Sequence, residues 1–169
     1  AWALDAPGSL AGAVPVSGVT IPYGGIASVV SFLGLDSLIV DAYSDYLLST
    51  AREGGVDRFL SRVFRPQEVP SGYAEYVVAL RASTLRHNAE DLRYINTALH
   101  RMAPGYAELA VPVEIIHGEA DFIDWDDHAL PLSERVPGAR LTVLPEVGHM
   151  AHHAAPGALA AAIARIADA

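Results

Sequence analysis

Apolar positions along this chain follow two rhythms. The run Leu10–Ser17 (LAGAVPVS) is short, apolar and bounded by Gly and Ser, which predicts a strand covered on both faces. Ala1–Leu4 reads as the end of a helix closed by Asp5-Ala6-Pro7-Gly8. From about Ile26 to Leu109 the spacing is helical and no strand is predicted. Leu38, Ile39, Ala42, Tyr43, Tyr46 and Leu47 recur at i, i+3, i+4, i+7 behind Asp36 as N-cap. Val56, Phe59, Leu60, Val63 and Phe64 repeat the pattern until Pro66 stops it. Ser71 is placed to cap a helix to about Ala82. Asn88 with Asp91 resembles a capping box that opens a helix to about Met102, ended by Pro104. Strand character returns at Val111–His117 (VPVEIIH) and at Ala139–Leu144 (ARLTVL), with a helix over Asp126–Val136 between them. Pro156, suited to the first helical position, starts a last helix with an apolar stripe of Leu159, Ile163 and Ile166.

The order is helix end, strand, helical block, strand, helix, strand, helix. It predicts an α/β protein with a parallel sheet, in which residues 1–22 and 108–169 form the sheet-bearing core and residues 23–107 a helical subdomain. Half of the 169 residues are apolar, enough for a proper core, and no apolar run approaches the ~20 residues needed to cross a bilayer. The net charge of −9 argues against nucleic acids and anionic membranes as partners, since both reward clustered Lys and Arg. The absence of Cys excludes thiolate nucleophiles, Cys-based zinc sites and disulfides. All eleven basic residues are Arg, so no lysine base or Schiff base is available. No signal-peptide pattern opens the chain; the compartment is undetermined, with the cytoplasm as the default.

Two loops carry the candidate chemistry. In Ile115-Ile116-His117-Gly118-Glu119-Ala120-Asp121 a strand ends, Gly allows a tight exit, and a carboxylate follows. In Val143-Leu144-Pro145-Glu146-Val147-Gly148-His149-Met150 a second strand ends and a His is presented. The C-terminal edge of a parallel sheet is where ligands bind. Adjacent strands there would set Asp121 beside His149, the partner a catalytic imidazole needs to fix its tautomer and stabilise its cation.

With both loops in this order and context, the stretch from Val111 to Pro156 resembles the closing segment of the α/β-hydrolase superfamily, nearest in look to bacterial epoxide-hydrolase and esterase-like members. The resemblance implies a truncated α/β-hydrolase parallel sheet, its last three strands, with a helical cap inserted after the first of them. It implies Asp121 as the triad acid and His149 as the triad base. It also implies a small hydrophobic ester, lactone or epoxide as substrate, with no cofactor and no metal. Tyr43 in the cap, together with Phe122 and Met150 beside the dyad, are the candidate substrate contacts. Phe64-Arg65-Pro66-Gln67-Glu68-Val69-Pro70 and Leu80-Arg81-Ala82 resemble caps of the same branches.

The departure is the nucleophile. The family places Ser, or Asp, on a Gly-x-Ser-x-Gly type elbow before the strand at Leu10, and this sequence contains no such pentapeptide. Ser17 lies at the end of a different strand. The expectation is a chain whose nucleophile, Ser or Asp, lies upstream of Ala1, with a missing N-terminal half or a homodimer covering the exposed edge of the first strand. The alternative is a non-catalytic ligand-binding protein or inactive fragment on the same fold. Other features read as structural. Glu119, Asp121, Asp124, Asp126 and Asp127 fit no calcium loop, and Asp124 or Asp126 is expected to cap the next helix. His149, His152 and His153 lack the Glu of a zinc-protease motif. His117 and His128 have no special claim, and the tyrosines at 43, 46, 73, 76 and 94 read chiefly as packing, with ring-opening of an epoxide as their one catalytic role.

Overall fold

The computed structural model describes residues 1–22, 54–79, 91 and 94–169. The predicted helix behind Asp36, Tyr43 and Tyr46 among its residues, and the Asn88 cap lie outside the described residues. The chain divides into two compact units. The first comprises Ala1–Ile21, Val63–Gln67 and His100–Ala169; the second comprises Pro22–Arg62 and Glu68–Leu99.

The first unit is built on two parallel strands, β1 (Glu114–Gly118) and β2 (Arg140–Leu144), paired in register from Glu114 opposite Arg140 to Gly118 opposite Leu144. Every residue of β1 is buried, whereas β2 is only partly covered. Alternate apolar residues of this segment face different cores. Val113 and Ile115 pack with Ala129 and Leu132 of the helix Trp125–Arg135, with Val136 at its C-cap, and with Ala103 and Tyr106. Ile116 packs instead with Ala151, Ala162, Leu144 and Leu159.

The run Leu10–Ser17 differs from its prediction. It forms no regular strand, only bridges from Ala13 to Val113 and from Val16 to Ile116. The bonds on either side are made: Ala13 N–H donates to Pro112 O, Glu114 N–H to Ala13 O, Ile116 N–H to Pro15 O, and Ser17 N–H to Ile116 O. The rung that would run from residue 15 is missing because Pro15 has no N–H. The third strand of the sheet is therefore present but interrupted at its proline.

The helix Trp125–Arg135 joins β1 to β2 and tolerates Pro131 in its interior. Asp124 occupies its N-cap, as expected, but its side chain makes no capping hydrogen bond. Asp126 and Asp127 lie in the first turn, where the helix dipole favours negative charge. The last helix runs Pro156–Ala167 with Pro at its start. Its buried face centres on Ala162, fully buried, while Ile163 is exposed, against the predicted stripe. A small residue lets the helix approach the sheet closely, and Arg165 then reaches Glu114 of β1 in a two-pronged ion pair at 3.0 and 2.7 Å.

In the second unit the helix Tyr73–Ala79 begins after Gly72, whose φ of +79° ends the preceding turn. Residues 94–99 of this unit are helical; the 3-10 turn Ala103–Glu108, which contains Pro104, belongs to the first unit. Leu60, Asn96 and Leu99 are buried, and the helix Gly55–Phe64 stops before Pro66 as predicted. Among the described residues no helix is long and apolar enough to cross a membrane.

Candidate active site

The site grows from the ends of β1 and β2. Beyond Gly118 the chain turns back on itself, Asp121 N–H donating to Gly118 O at 3.2 Å. The loop after β2 closes against this turn. Glu119 N–H donates to Leu144 O and Ala120 N–H to Val147 O, both at 2.9 Å. Gly118 makes the approach feasible, since a Cβ there would overlap the carbonyl oxygens of Val147 and Gly148. Glu146 turns the loop with φ of +57°, and its N–H points to Glu119 Oε2 at 3.4 Å.

A residue that local sequence pattern did not single out holds this loop. Gln67 donates from Nε2 to Glu146 O at 2.7 Å and accepts at Oε1 from Gly148 N–H at 3.1 Å. One amide thus satisfies two backbone groups on the approach to His149. Gln67→Ala is expected to leave the buried Gly148 N–H unpaired, at about 1–3 kcal/mol. Amide hydrogen exchange at Gly148 should accelerate roughly ten- to a hundredfold; unchanged protection would show that the loop does not depend on Gln67.

The two predicted dyad residues meet. His149 Nδ1 lies 3.1 Å from Asp121 Oδ1 and 3.1 Å from Oδ2. The carboxylate can only accept, so Nδ1 carries the proton and Nε2 is left as the basic nitrogen. The Asp121 side chain is fully buried, whereas that of His149 is 27% exposed. Phe122, 52% exposed, sets its ring 4.7 Å from the imidazole. Met150, partly buried, precedes the short helix Ala151–Ala154. Tyr43, the remaining predicted contact, lies outside the described residues.

Asp121 has further partners. Ile123 N–H donates to Oδ1 at 3.0 Å, and His117 Nε2 lies 3.2 Å from Oδ2. Burial alone would push this carboxyl up; the bonds from His117, His149 and Ile123 outweigh it and hold it well below the usual carboxylate range. The sequence did contain a signal for His117, which sits four residues before the acid across a single Gly turn.

His128 has a structural part. Its Nδ1 accepts from Ile21 N–H at 3.3 Å, and its carbonyl accepts from Thr20 Oγ1 at 2.5 Å. His152 and His153 lie exposed in Ala151–Ala154, with the His153 ring 5.4 Å from that of Phe64. Among the described residues no group of three or more His, Asp and Glu side chains is arranged to hold a metal ion.

No protein-family model matches the sequence, and no curated protein matches it. Solved structures do. A hydrolase from Pseudomonas aeruginosa PA01 matches with a TM-score of 0.72 at 19% identity, over 99% of this chain and 59% of that one. The enol-lactonase from Burkholderia xenovorans LB400 matches at 0.61 and 16% identity, over 99% and 60% of the two chains. An esterase from Exiguobacterium antarcticum matches at 0.60 and 20%, over 79% and 48%. The fold is that of the α/β hydrolases. The chain spans no more than 60% of the length of these three structures.

Proposed function

We propose that Asp121 and His149 are the acid and base of a nucleophile–His–Asp hydrolase that acts on a small hydrophobic ester, lactone or epoxide. The nucleophile in this reading lies upstream of the chain, and residues 23–107 contain the cap. The observation that carries the reading is the His149 Nδ1 to Asp121 contact at the C-terminal edge of two parallel strands, with both carboxylate oxygens at 3.1 Å. The exposed Phe122 ring beside His149 suits an apolar substrate. The neighbours' names, a hydrolase, an esterase and an enol-lactonase, agree in reaction class.

The chemistry follows from the tautomer. If the nucleophile is Ser, His149 Nε2 takes the hydroxyl proton as oxygen attacks the carbonyl, then returns it to the leaving group. Water repeats the cycle on the acyl enzyme. If the nucleophile is Asp, it opens the substrate to an ester and His149 Nε2 activates the water that hydrolyses it. In both cases Asp121 holds the ring and stabilises the imidazolium. No cofactor enters either cycle.

The test uses the full-length protein with short-chain p-nitrophenyl esters, an aliphatic lactone and a styrene-type epoxide. Hydrolysis of at least one is expected, with His149→Ala lowering kcat by about a thousandfold or more. Full activity in the His149 variant would remove the dyad from the mechanism. Tight binding of these compounds without turnover would favour a binding protein on the same fold.

A further inference from the structure

Two buried side-chain atoms have no hydrogen-bond partner among the described residues: Ser17 Oγ and His117 Nδ1. The parallel ladder brings their residues side by side. Val16 bridges Ile116, and Ser17 N–H donates to Ile116 O at 2.9 Å, so Ser17 and His117 each directly follow a paired position of the two segments. Ser17 is 5% exposed and His117 is 0%. Ser17 also has φ of +48°, a left-handed backbone that a strand would not impose.

The protonation of His117 follows from its surroundings. Nε2 lies 2.8 Å from Ile123 O and 3.2 Å from Asp121 Oδ2, and both of these atoms only accept. A bare Nε2 would face two oxygens, so the proton sits there and Nδ1 is the bare nitrogen. A bare, buried imidazole nitrogen calls for a donor, because a buried polar atom without a partner is costly. The neighbouring Ser17 hydroxyl is such a donor and itself lacks a partner. In the relay put forward below, the two atoms are paired directly or through one bridging water.

We propose that His117 is a positioning residue for Asp121, within a buried relay of Ser17 hydroxyl, His117 imidazole and Asp121 carboxylate behind His149. The proposal rests on the reading of Asp121 and His149 as a catalytic dyad. His117 acts through the acid and touches no substrate. With Ile123 N–H it fixes the rotation of the carboxylate, so that both oxygens stay level with His149 Nδ1. It also draws on the same negative charge, which tempers the pull on the His149 proton. Asp121 and His128 are the ionisable groups that sense His117, and His152 senses His149 from the other side.

Nitrogen and carbon NMR on the labelled protein tests this without any turnover. His117 should show a protonated Nε2 and a bare Nδ1 at pH 7. Ser17→Ala should move the Nδ1 signal downfield, toward an unbonded nitrogen. His117→Leu removes a donor from the carboxylate, and the Asp121 carboxyl should then titrate at higher pH, by about tenfold in its dissociation constant. His117→Gln offers an amide donor in place of the imidazole and should restore most of that shift. A packing role alone would leave the Gln and Leu variants alike in titration, which overturns the proposal. So would an Nδ1-protonated His117 in the unaltered protein, a measurement that needs no variant to fold. Loss of the dyad reading would show separately, as full turnover in His149→Ala with this relay intact.

Discussion

Gly148→Ala should lower the stability of the protein by about 3 kcal/mol or more and displace the His149 loop. Gly148 is buried, and a Cβ built on it would overlap the carbonyl oxygen of Arg65, with Pro66 Cδ at 3.3 Å. The obstruction is backbone, so no rotamer change relieves it. Either the segment Val63–Gln67 withdraws or the loop Pro145–Met150 does, and the bond from Gly148 N–H to Gln67 is lost. Overpacking of this kind costs about 1–3 kcal/mol and sometimes more, and a broken hydrogen bond adds roughly 0.5–1.5. With a urea slope of about 1–3 kcal/mol per molar, the unfolding midpoint should fall by roughly 1–3 M. Gly157→Ala is the control: nothing lies within 4 Å of its added Cβ, and it sits in the first turn of a helix where Ala is favoured. Its midpoint should stay or rise slightly. Equal midpoints for the Gly148 variant and the unaltered protein would mean that the loop is not wedged against Arg65.

The elements that were legible in the sequence are those whose cause is local. β1 and its acid could be read because an apolar run, a Gly and a carboxylate are contiguous from Ile115 to Asp121. The His loop was legible for the same reason, and the 3.1 Å approach of its imidazole to Asp121 follows from two strands ending side by side. The apolar composition of Leu10–Ser17 predicts a regular strand, yet one missing N–H at Pro15 reduces it to two bridges. The large residues of the final helix predict its stripe, but in this Ala-rich helix the fully buried position is Ala162, and periodicity of Leu and Ile cannot show that. In the sequence Gln67 falls within a stretch that resembles a cap motif, and nothing there marks it as a support of the His loop. Its partners lie 79 and 81 residues away, and no periodic pattern encodes a contact at that separation. His117 reads in the sequence as a strand-end residue with no special claim. Its place 3.2 Å from the Asp121 carboxylate is set by the fold of the loop and not by any pattern in the strand.

On the proposed hydrolase reading, Asp121→Asn should lower kcat of the full-length protein by about ten-thousandfold while leaving the fold in place near neutral pH. The carboxylate stands among three donors: Nδ1–H of His149, Nε2–H of His117 and the N–H of Ile123. An amide offers one oxygen to accept and an NH2 group that must point at one of those donors. The exposed ring yields most easily, so His149 takes the opposite tautomer and its Nε2 carries a proton when it should be free to accept one. The variant should also lose part of the protein's acid sensitivity. Asp121 has a folded-state pKa below its ordinary value, so its ionisation contributes stability that is present above the ordinary carboxylate range and is lost as pH falls through and below it. An Asn cannot contribute this term. Urea midpoints taken at pH 7 and at about pH 3, below the ordinary carboxylate value, should therefore differ less in the variant than in the unaltered protein, even if both midpoints are lower. A variant that kept kcat within tenfold would show that His149 needs no anionic partner. An unchanged acid limb would show that the Asp121 charge is not what the His117 and His149 contacts stabilise.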